Sequence, residues 1–170
     1  EDGKKVLDMC TGSGCILLSI LKRYQVQGTG ADISSEALQV AERNRKHLAL
    51  PQVEWLQRDL FEKIEEKYDV IVSNPPYIQT GVIESLQEEV RLHDPYIALD
   101  GKEDGLYFYR RIIEDAKAYL EDGGWLLFEI GYDQAEPVTR LMEQAGYSEI
   151  HVKKDLSGLD RVAGARYNKN

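Results

Sequence analysis

Apolar and polar positions along the chain predict a regular succession of strands and helices. Short apolar runs predict buried β-strands at residues 4–10, 26–34, 53–59, 68–74 and 124–131. Apolar residues at helical spacing predict helices at residues 15–24, 36–50, 82–92 and 105–120, and a further helix that begins at Asp133 or Gln134 and runs to Ala145. The chain closes with two β segments joined by a turn, at residues 147–155 and 161–167.

Residues with special backbone preferences mark several of the predicted ends. Ser34 or Ser35 can cap the second helix, and Pro51 lies just beyond the end of that helix. Gly123 and Gly124 are predicted to end the helix that precedes the fifth strand.

Strand–helix alternation predicts an α/β fold with a doubly wound, mostly parallel sheet and helices on both faces. The two consecutive strands at the end predict one antiparallel strand near the C-terminus. Sheets of this kind bind ligands outside the carboxyl ends of their strands. We therefore expect the strand ends to bring one set of residues to a single edge: the loop 10–14, Asp32, Asp59, Asn74 and Glu129.

Composition narrows the class of protein. A chain of 170 residues with 42% apolar and 30% charged residues has the size of one globular domain. Its formal net charge of −9 argues against binding nucleic acid by neutralising phosphates, although a local basic patch stays compatible with the sequence. Because no run of about 18 apolar residues and no leader is visible, we expect neither a membrane span nor a signal peptide.

Cys10 and Cys15 are the two cysteines of the chain, and neither has a partner at the spacing of a metal site. We expect free, buried thiols, no bound metal and a reducing compartment, the cytoplasm. The first apolar strand reaches Val6 only a few residues into the chain, so we also expect a fragment cut at a domain boundary.

The stretch VLDMCTGSGC, residues 6–15, is the first candidate site. Gly12 and Gly14 follow a strand and precede a helix, so the backbone can approach a ligand and direct helix N–H groups at it. Dinucleotides, nucleosides and phosphates are all bound in this way, and a tight strand–helix turn gives the same pattern. A phosphate-binding P-loop is excluded because the Gly-x-x-x-x-Gly-Lys motif is missing, and Leu17 stands where a third dinucleotide-binding glycine would be.

Two aspartates end the second and third predicted strands. Asp32 can accept hydrogen bonds from both hydroxyls of a ribose, or it can complement the dipole of the helix that follows. Asp59 can accept a hydrogen bond from an adenine amino group while Leu60 packs on the base. A solvated aspartate in a turn explains Asp59 equally well.

The motif NPPY, residues 74–77, comes directly after the fourth strand. Its prolines end that strand, but Asn74 Oδ1 and the Pro75 carbonyl also form two acceptors of fixed direction. An NH2 group offers two matching donors, and Tyr77 offers a face on which a planar group can stack. The motif therefore suits a planar, non-basic nitrogen, in an amide or an exocyclic amine, as a methyl acceptor.

These motifs together resemble the class I S-adenosylmethionine-dependent methyltransferases that modify amide or amino nitrogens. Within that class, residues 93–113, 123–134 and 152–166 resemble the protein glutamine methyltransferases of the HemK/PrmC type. The resemblance covers nearly the whole chain and implies a Rossmann-like catalytic domain over residues 1–170. It implies transfer of methyl from S-adenosylmethionine to the glutamine of the Gly-Gly-Gln motif in peptide-chain release factors, a step that serves translation termination.

The resemblance implies cofactor roles for the matching residues. The methionine part would lie against Cys10, Thr11, Gly12, Ser13 and Gly14. Asp32 would hold the ribose and Ile33 would flank the adenine. Asp59 and Leu60 would line the adenine pocket.

It also implies substrate roles for the NPPY motif. Asn74, which would border the cofactor too, would hold the substrate amide together with Pro75, while Pro76 would shape the loop and Tyr77 would pack against it. Cys10 departs from the family pattern, which usually has glycine there. The family's N-terminal helical substrate-binding domain is absent from the given chain, so cofactor binding is expected to survive better than substrate recognition.

Two alternatives stay open. A nucleic-acid amino-methyltransferase acting on adenine N6 or guanine N2 uses the same NPPY chemistry, but the net charge, the lack of a basic arm and the later sequence blocks argue against it. A cofactor-binding module of a larger assembly is the second alternative. It predicts that Asn74 is dispensable for the activity of that assembly.

Overall fold

The computed structural model describes residues 3–83 and 96–169. The strands in these ranges are β1 (Lys5–Met9), β2 (Gln27–Asp32), β3 (Glu54–Gln57), β4 (Tyr68–Ser73), β5 (Leu120–Glu129), β6 (Ser148–Lys154) and β7 (Asp160–Arg166). The helices are α1 (Cys15–Leu21), α2 (Ser35–His47), α3 (Thr80–Ile83), α4 (Tyr96–Leu99), α5 (Tyr107–Tyr119) and α6 (Ala135–Gln144). Most of the helix predicted at 82–92 lies outside the described residues.

The strands form a single sheet in the order β3-β2-β1-β4-β5-β7-β6. Neighbouring strands from β3 to β5 are parallel, whereas β7 is antiparallel to both β5 and β6. The predicted mostly parallel sheet with an antiparallel strand near the C-terminus is therefore confirmed. The strand order reverses between β1 and β4, and the carboxyl ends of these two strands flank the point where such sheets bind ligands.

Hydrophobic residues cover both faces of the sheet. Val6 and Val70 pack with apolar residues of α1, while their neighbours Leu7 and Ile71 belong to a larger cluster that includes residues of α5 and α6. Successive side chains of a strand point to opposite faces. Helices therefore cover both faces, as predicted, and their packing fixes the strand ends that carry the site.

The junction between α5 and β5 differs from the prediction. The helix ends at Tyr119 and the strand begins at the next residue, so Gly123 and Gly124 lie inside β5 rather than at the helix end. The pairing of β4 with β5 shifts within this segment, and Gly123 has a φ of 77°. The glycine pair therefore accommodates an irregularity in the strand, where a left-handed backbone favours glycine.

Candidate active site

A cleft of about 360 Å³ lies at the carboxyl ends of β1, β2 and β4. Most of the predicted site residues line it: Cys10, Thr11, Gly12, Ser13, Asp32, Ile33, Asp59, Leu60, Asn74 and Pro76. They come from four separate segments of the chain, each of which follows or ends a parallel strand. The sheet topology thus brings these residues together at one edge.

Four of the residues considered from the sequence do not line this cleft in the described part of the chain: Gly14, Pro75, Tyr77 and Glu129. Gly14 caps α1 with a φ of 78° and is buried behind the loop, where a Cβ would press on Ala41 and Trp55. Pro75 is buried and Tyr77 is half-buried, so the NPPY motif runs from an exposed Asn74 into the core.

Asp8 holds the β1–α1 loop in place. Its Oδ2 accepts hydrogen bonds from Thr11 Oγ1 at 2.6 Å and from the Leu17 N–H at 3.2 Å. The side chain is buried, and its Oδ1 has no partner among the described residues. Burial raises the pKa of the Asp8 carboxyl to about 7. An acid within the apolar run VLDM was the one sequence signal for this anchor.

The two cysteines have different surroundings, and both thiols are free. Cys10 is half-buried with a φ of 60°, a left-handed conformation in which glycine carries no strain. Burial raises the pKa of its thiol to about 12, and the nearby Asp32 charge adds to the effect. Cys15 is exposed, so the prediction of two buried thiols is wrong for this residue.

Asp32 connects the loop after β1 to the start of α2. Its Oδ2 accepts the Gly12 N–H at 2.9 Å, and its Oδ1 accepts the Ser34 N–H at 2.9 Å. Ser34, rather than Ser35, caps α2 by accepting the Ala37 N–H at 3.1 Å. A carboxylate oxygen has two lone pairs, so these bonds leave each oxygen of Asp32 able to accept one hydrogen bond from a ligand. The two interpretations of Asp32, as a ligand residue and as a helix-start residue, are therefore compatible.

The residues that follow β3 form a part of the cleft wall that is both polar and apolar. Asp59 is exposed, with its Oδ1 3.5 Å from Arg111 Nη1, whereas Leu60 is buried with a φ of 49°. Arg58 also lines the cleft and donates to the Gln57 carbonyl at 2.7 Å. Its Nε is buried without a partner among the described residues. No sequence pattern had marked Arg58.

The NPPY segment is fixed at its start and open at its tip. Ser73 Oγ donates to the Met9 carbonyl at 2.7 Å, which joins the end of β4 to the end of β1. The next residue, Asn74, is exposed at the rim of the cleft, and within residues 3–83 and 96–169 no hydrogen bond is made to its side chain. Burial raises the pKa of the Tyr77 hydroxyl, and the charge of Glu129 raises it further. Asn74 is thus exposed at the rim of the cleft while the motif behind it is held by the core.

Apolar residues from later in the chain complete the cleft: Ile97, Ala98 and Phe108. They come from α4 and α5, which are distant in sequence from the glycine loop. A nucleoside with a charged or polar tail fits such a wall, because it needs apolar faces, a carboxylate for its hydroxyls and a close backbone approach.

The described residues form neither a three-residue metal cluster nor a membrane-spanning helix. No group of three His, Cys, Asp or Glu within residues 3–83 and 96–169 is arranged to hold a metal ion. None of the helices in these ranges has the length and apolar character needed to cross a membrane.

Known proteins resemble this chain in sequence and in fold. Residues 1–91 match the family model described as methyltransferase small domain. A release factor glutamine methyltransferase of Agrobacterium fabrum is 44% identical over 160 residues, which cover 93% of this chain and 55% of that protein. The chain spans a little over half the length of this relative and of several other curated relatives that it matches.

Solved structures share the fold at low sequence identity. A methyltransferase from Pyrococcus furiosus gives a TM-score of 0.75 with 18% identity, covering 99% of this chain and 77% of that chain. A T. thermophilus 16S rRNA N2 G1207 methyltransferase in complex with AdoMet and guanosine gives 0.69 with 17% identity, covering 98% and 38%. These two structures support a methyltransferase-type α/β fold. Since the family model matches more than half of its residues, this chain belongs to the methyltransferase small domain family.

Proposed function

We propose that the chain is the catalytic domain of a cytoplasmic enzyme that methylates the side-chain nitrogen of glutamine in the Gly-Gly-Gln motif of peptide-chain release factors. The observation that carries this proposal is the position of Asn74, exposed at the rim of a cleft formed by the glycine loop and Asp32. The name of the Agrobacterium fabrum relative supports the same substrate.

The cleft fits S-adenosylmethionine as the methyl donor. Its sulfonium, when bound, supplies an activated methyl group. The loop from Cys10 to Gly14 would border the methionine part, with the backbone of Gly12 allowing a close approach. Asp32 has one acceptor left on each oxygen for the ribose hydroxyls, and Leu60 offers an apolar surface to the base.

The NPPY motif would hold and orient the nitrogen that receives the methyl group. An amide nitrogen is a poor nucleophile because its lone pair is delocalised into the carbonyl. Asn74 Oδ1 and the Pro75 carbonyl would accept its two N–H groups and fix its approach, and positioning of this kind contributes about 7–11 kcal/mol in ideal cases. Both acceptors would also stabilise the positive charge that develops on nitrogen.

Release of the proton from nitrogen requires no strong base in this site. A C–N bond forms as the C–S bond breaks, and the nitrogen then releases one proton to solvent. We therefore assign no catalytic base to Glu129, which lies outside the cleft wall, or to any histidine.

A competition experiment tests this proposal. The full-length enzyme is given labelled S-adenosylmethionine together with a release-factor domain and double-stranded DNA in equal amounts. We expect label only on the glutamine of the release factor. Label on adenine or guanine would select the nucleic-acid alternative, and cofactor binding without any transfer would select the binding-module alternative.

A further inference from the structure

We infer that Gln134 is a positioning residue for the NPPY motif, because its side-chain amide fixes the backbone of Tyr77. The conformational part of this inference stands on the contacts alone. Its kinetic part rests on the proposed function, in which Asn74 and Pro75 orient the substrate nitrogen.

The Gln134 amide uses both its donor and its acceptor sides. Its Nε2 donates to the Tyr77 carbonyl at 3.2 Å and to the Gly105 carbonyl at 3.3 Å. Its Oε1 accepts the Gly131 N–H at 3.0 Å and lies 3.4 Å from the Tyr109 hydroxyl. Two carbonyls face the NH2 group and one N–H faces the oxygen, so the partners define the orientation of the amide. A glutamine side chain thus supplies donors and an acceptor together at this point.

The anchor of Gln134 is the core of the domain. Gly131 lies two residues after β5, and Tyr109 is a fully buried residue of α5 whose hydroxyl donates to the Glu129 carbonyl at 2.9 Å. Sites supported by packed strands and helices hold their geometry better than sites on loops. Gln134 therefore transmits the rigidity of β5 and α5 to the segment that follows β4.

The backbone around Tyr77 also packs closely against two glycines of the segment 99–105. Gly105 has a φ of 72°, and a Cβ there would overlap the Tyr77 carbonyl oxygen. A Cβ on Gly101 would lie 2.7 Å from the Tyr77 Cα. The Ile78 N–H donates to the Leu99 carbonyl at 3.0 Å, and the Ile78 carbonyl accepts the Gly101 N–H at 2.8 Å. Tyr77 is thus held both by the segment 99–105 and by Gln134.

Rigidity at Tyr77 extends to the acceptors of the motif. Only Pro75 and Pro76 separate Asn74 from Tyr77, and each proline has a fixed φ. A displacement of Tyr77 would therefore change the direction of the Pro75 carbonyl and of Asn74. Among the described residues, the glycine loop and Asp32 make no hydrogen bond with the Gln134 side chain, so cofactor affinity should not depend on it.

Two substitutions separate the donor function of Gln134 from its acceptor function. Gln134→Leu removes both, whereas Gln134→Glu keeps an acceptor for Gly131 but offers no N–H to Tyr77 and Gly105. Gln144→Leu, at the exposed end of the same helix, is the matched control. Amide hydrogen exchange at Ile78 and Gly101 should become about 10-fold faster in both Gln134 variants and stay unchanged in the control. Unchanged exchange in both Gln134 variants overturns the inference. If Gln134→Leu fails to fold, the exchange measured in Gln134→Glu decides by itself.

Kinetics on a Gly-Gly-Gln substrate give the second readout. We expect kcat to fall about 100-fold in both Gln134 variants, since misplacement by about 1 Å has that cost, while the calorimetric Kd for S-adenosylmethionine stays within about threefold. A wild-type kcat in these variants overturns the positioning role. Absence of turnover in the full-length wild-type enzyme instead defeats the proposed function, and hydrogen exchange then decides the positioning role by itself.

Discussion

The Asp32 carboxylate accepts the backbone N–H of Gly12 at 2.9 Å, and this bond joins the glycine loop after β1 to the end of β2. The second oxygen of Asp32 accepts the Ser34 N–H at the same distance. The residue assigned to the ribose therefore also shapes the loop assigned to the methionine part. Loss of this carboxylate removes a ligand acceptor and a loop anchor at once.

Replacement of Asp32 should weaken cofactor binding more than it weakens folding. We expect Asp32→Ala to raise the Kd for S-adenosylmethionine by roughly 10- to 100-fold, because hydrogen bonds to a charged group contribute about 1.5–3 kcal/mol. Isothermal titration calorimetry measures the change. Asp115→Ala, an exposed carboxylate on α5, is the control. An Asp32→Ala affinity equal to that of the control would refute the ribose role.

Asp8 should give the stability of the protein a characteristic pH dependence. Its pKa is raised from 3.8 to about 7 in the folded state, so between these values the folded state binds more protons than the unfolded chain. Stability should therefore fall as pH rises from about 4 to 7, at most by roughly 1.4 kcal/mol per pH unit, and then level off.

The matched variant for this effect is Asp8→Asn, which cannot ionise. Urea unfolding of both proteins at several pH values gives the difference in stability, and most other titrating groups cancel in it. The wild type should lose stability relative to Asp8→Asn as pH rises through this window. A difference that is constant from pH 4 to 8 would show that Asp8 is ionised throughout.

The left-handed backbone at Cys10 predicts how substitutions there behave. Cys10→Gly relieves backbone strain but loses side-chain packing, so the free energy of unfolding should change by less than about 1 kcal/mol. Cys10→Val places a β-branched side chain at a φ of 60° and should cost about 2 kcal/mol. Urea unfolding measures both variants. Equal stabilities for the valine and glycine variants would contradict the assigned backbone conformation.

Strand ends were predictable because local patterns define them. Gly12, Asp32, Asp59 and Asn74 each follow or end an apolar run, and the parallel topology that brings such ends together follows from strand–helix alternation. The anchoring role of Asp8 was not predictable, because it depends on the burial of one carboxyl under a loop.

Contacts between segments that are distant along the chain could also not be predicted from the sequence. Gln134 and Tyr77 are 57 positions apart, and their hydrogen bond exists because β5 pairs with β4. The pattern of apolar residues marked Gln134 only as a possible start of α6. Likewise, Gly123 resembled a helix end, whereas the register of β4 and β5 requires it inside a strand.

Gly105 lies outside the cleft in a crowded position, so we expect its substitution to destabilise the protein. Gly105→Ala combines a φ of 72° with overlap of the Tyr77 carbonyl oxygen, so it should lower the free energy of unfolding by about 2 kcal/mol. Gly81→Ala is the matched control, since a Cβ there meets open space. It should change stability by less than about 0.5 kcal/mol. Thermal and urea unfolding compare the two, and a fully tolerated Gly105→Ala would contradict the close packing around Tyr77.

Asn74 should orient a glutamine nitrogen beside a cleft whose affinity for the methyl donor depends mainly on the glycine loop and Asp32. A Gly-Gly-Gln substrate is incubated with wild type or Asn74→Ala at saturating S-adenosylmethionine. Mass spectrometry of the substrate then gives the most direct test of this role. The wild type should add one methyl group at the glutamine, and Asn74→Ala should add it at least about 100-fold more slowly, with cofactor affinity within a few fold. Glutamine methylation by Asn74→Ala at the wild-type rate would exclude the orienting role of Asn74.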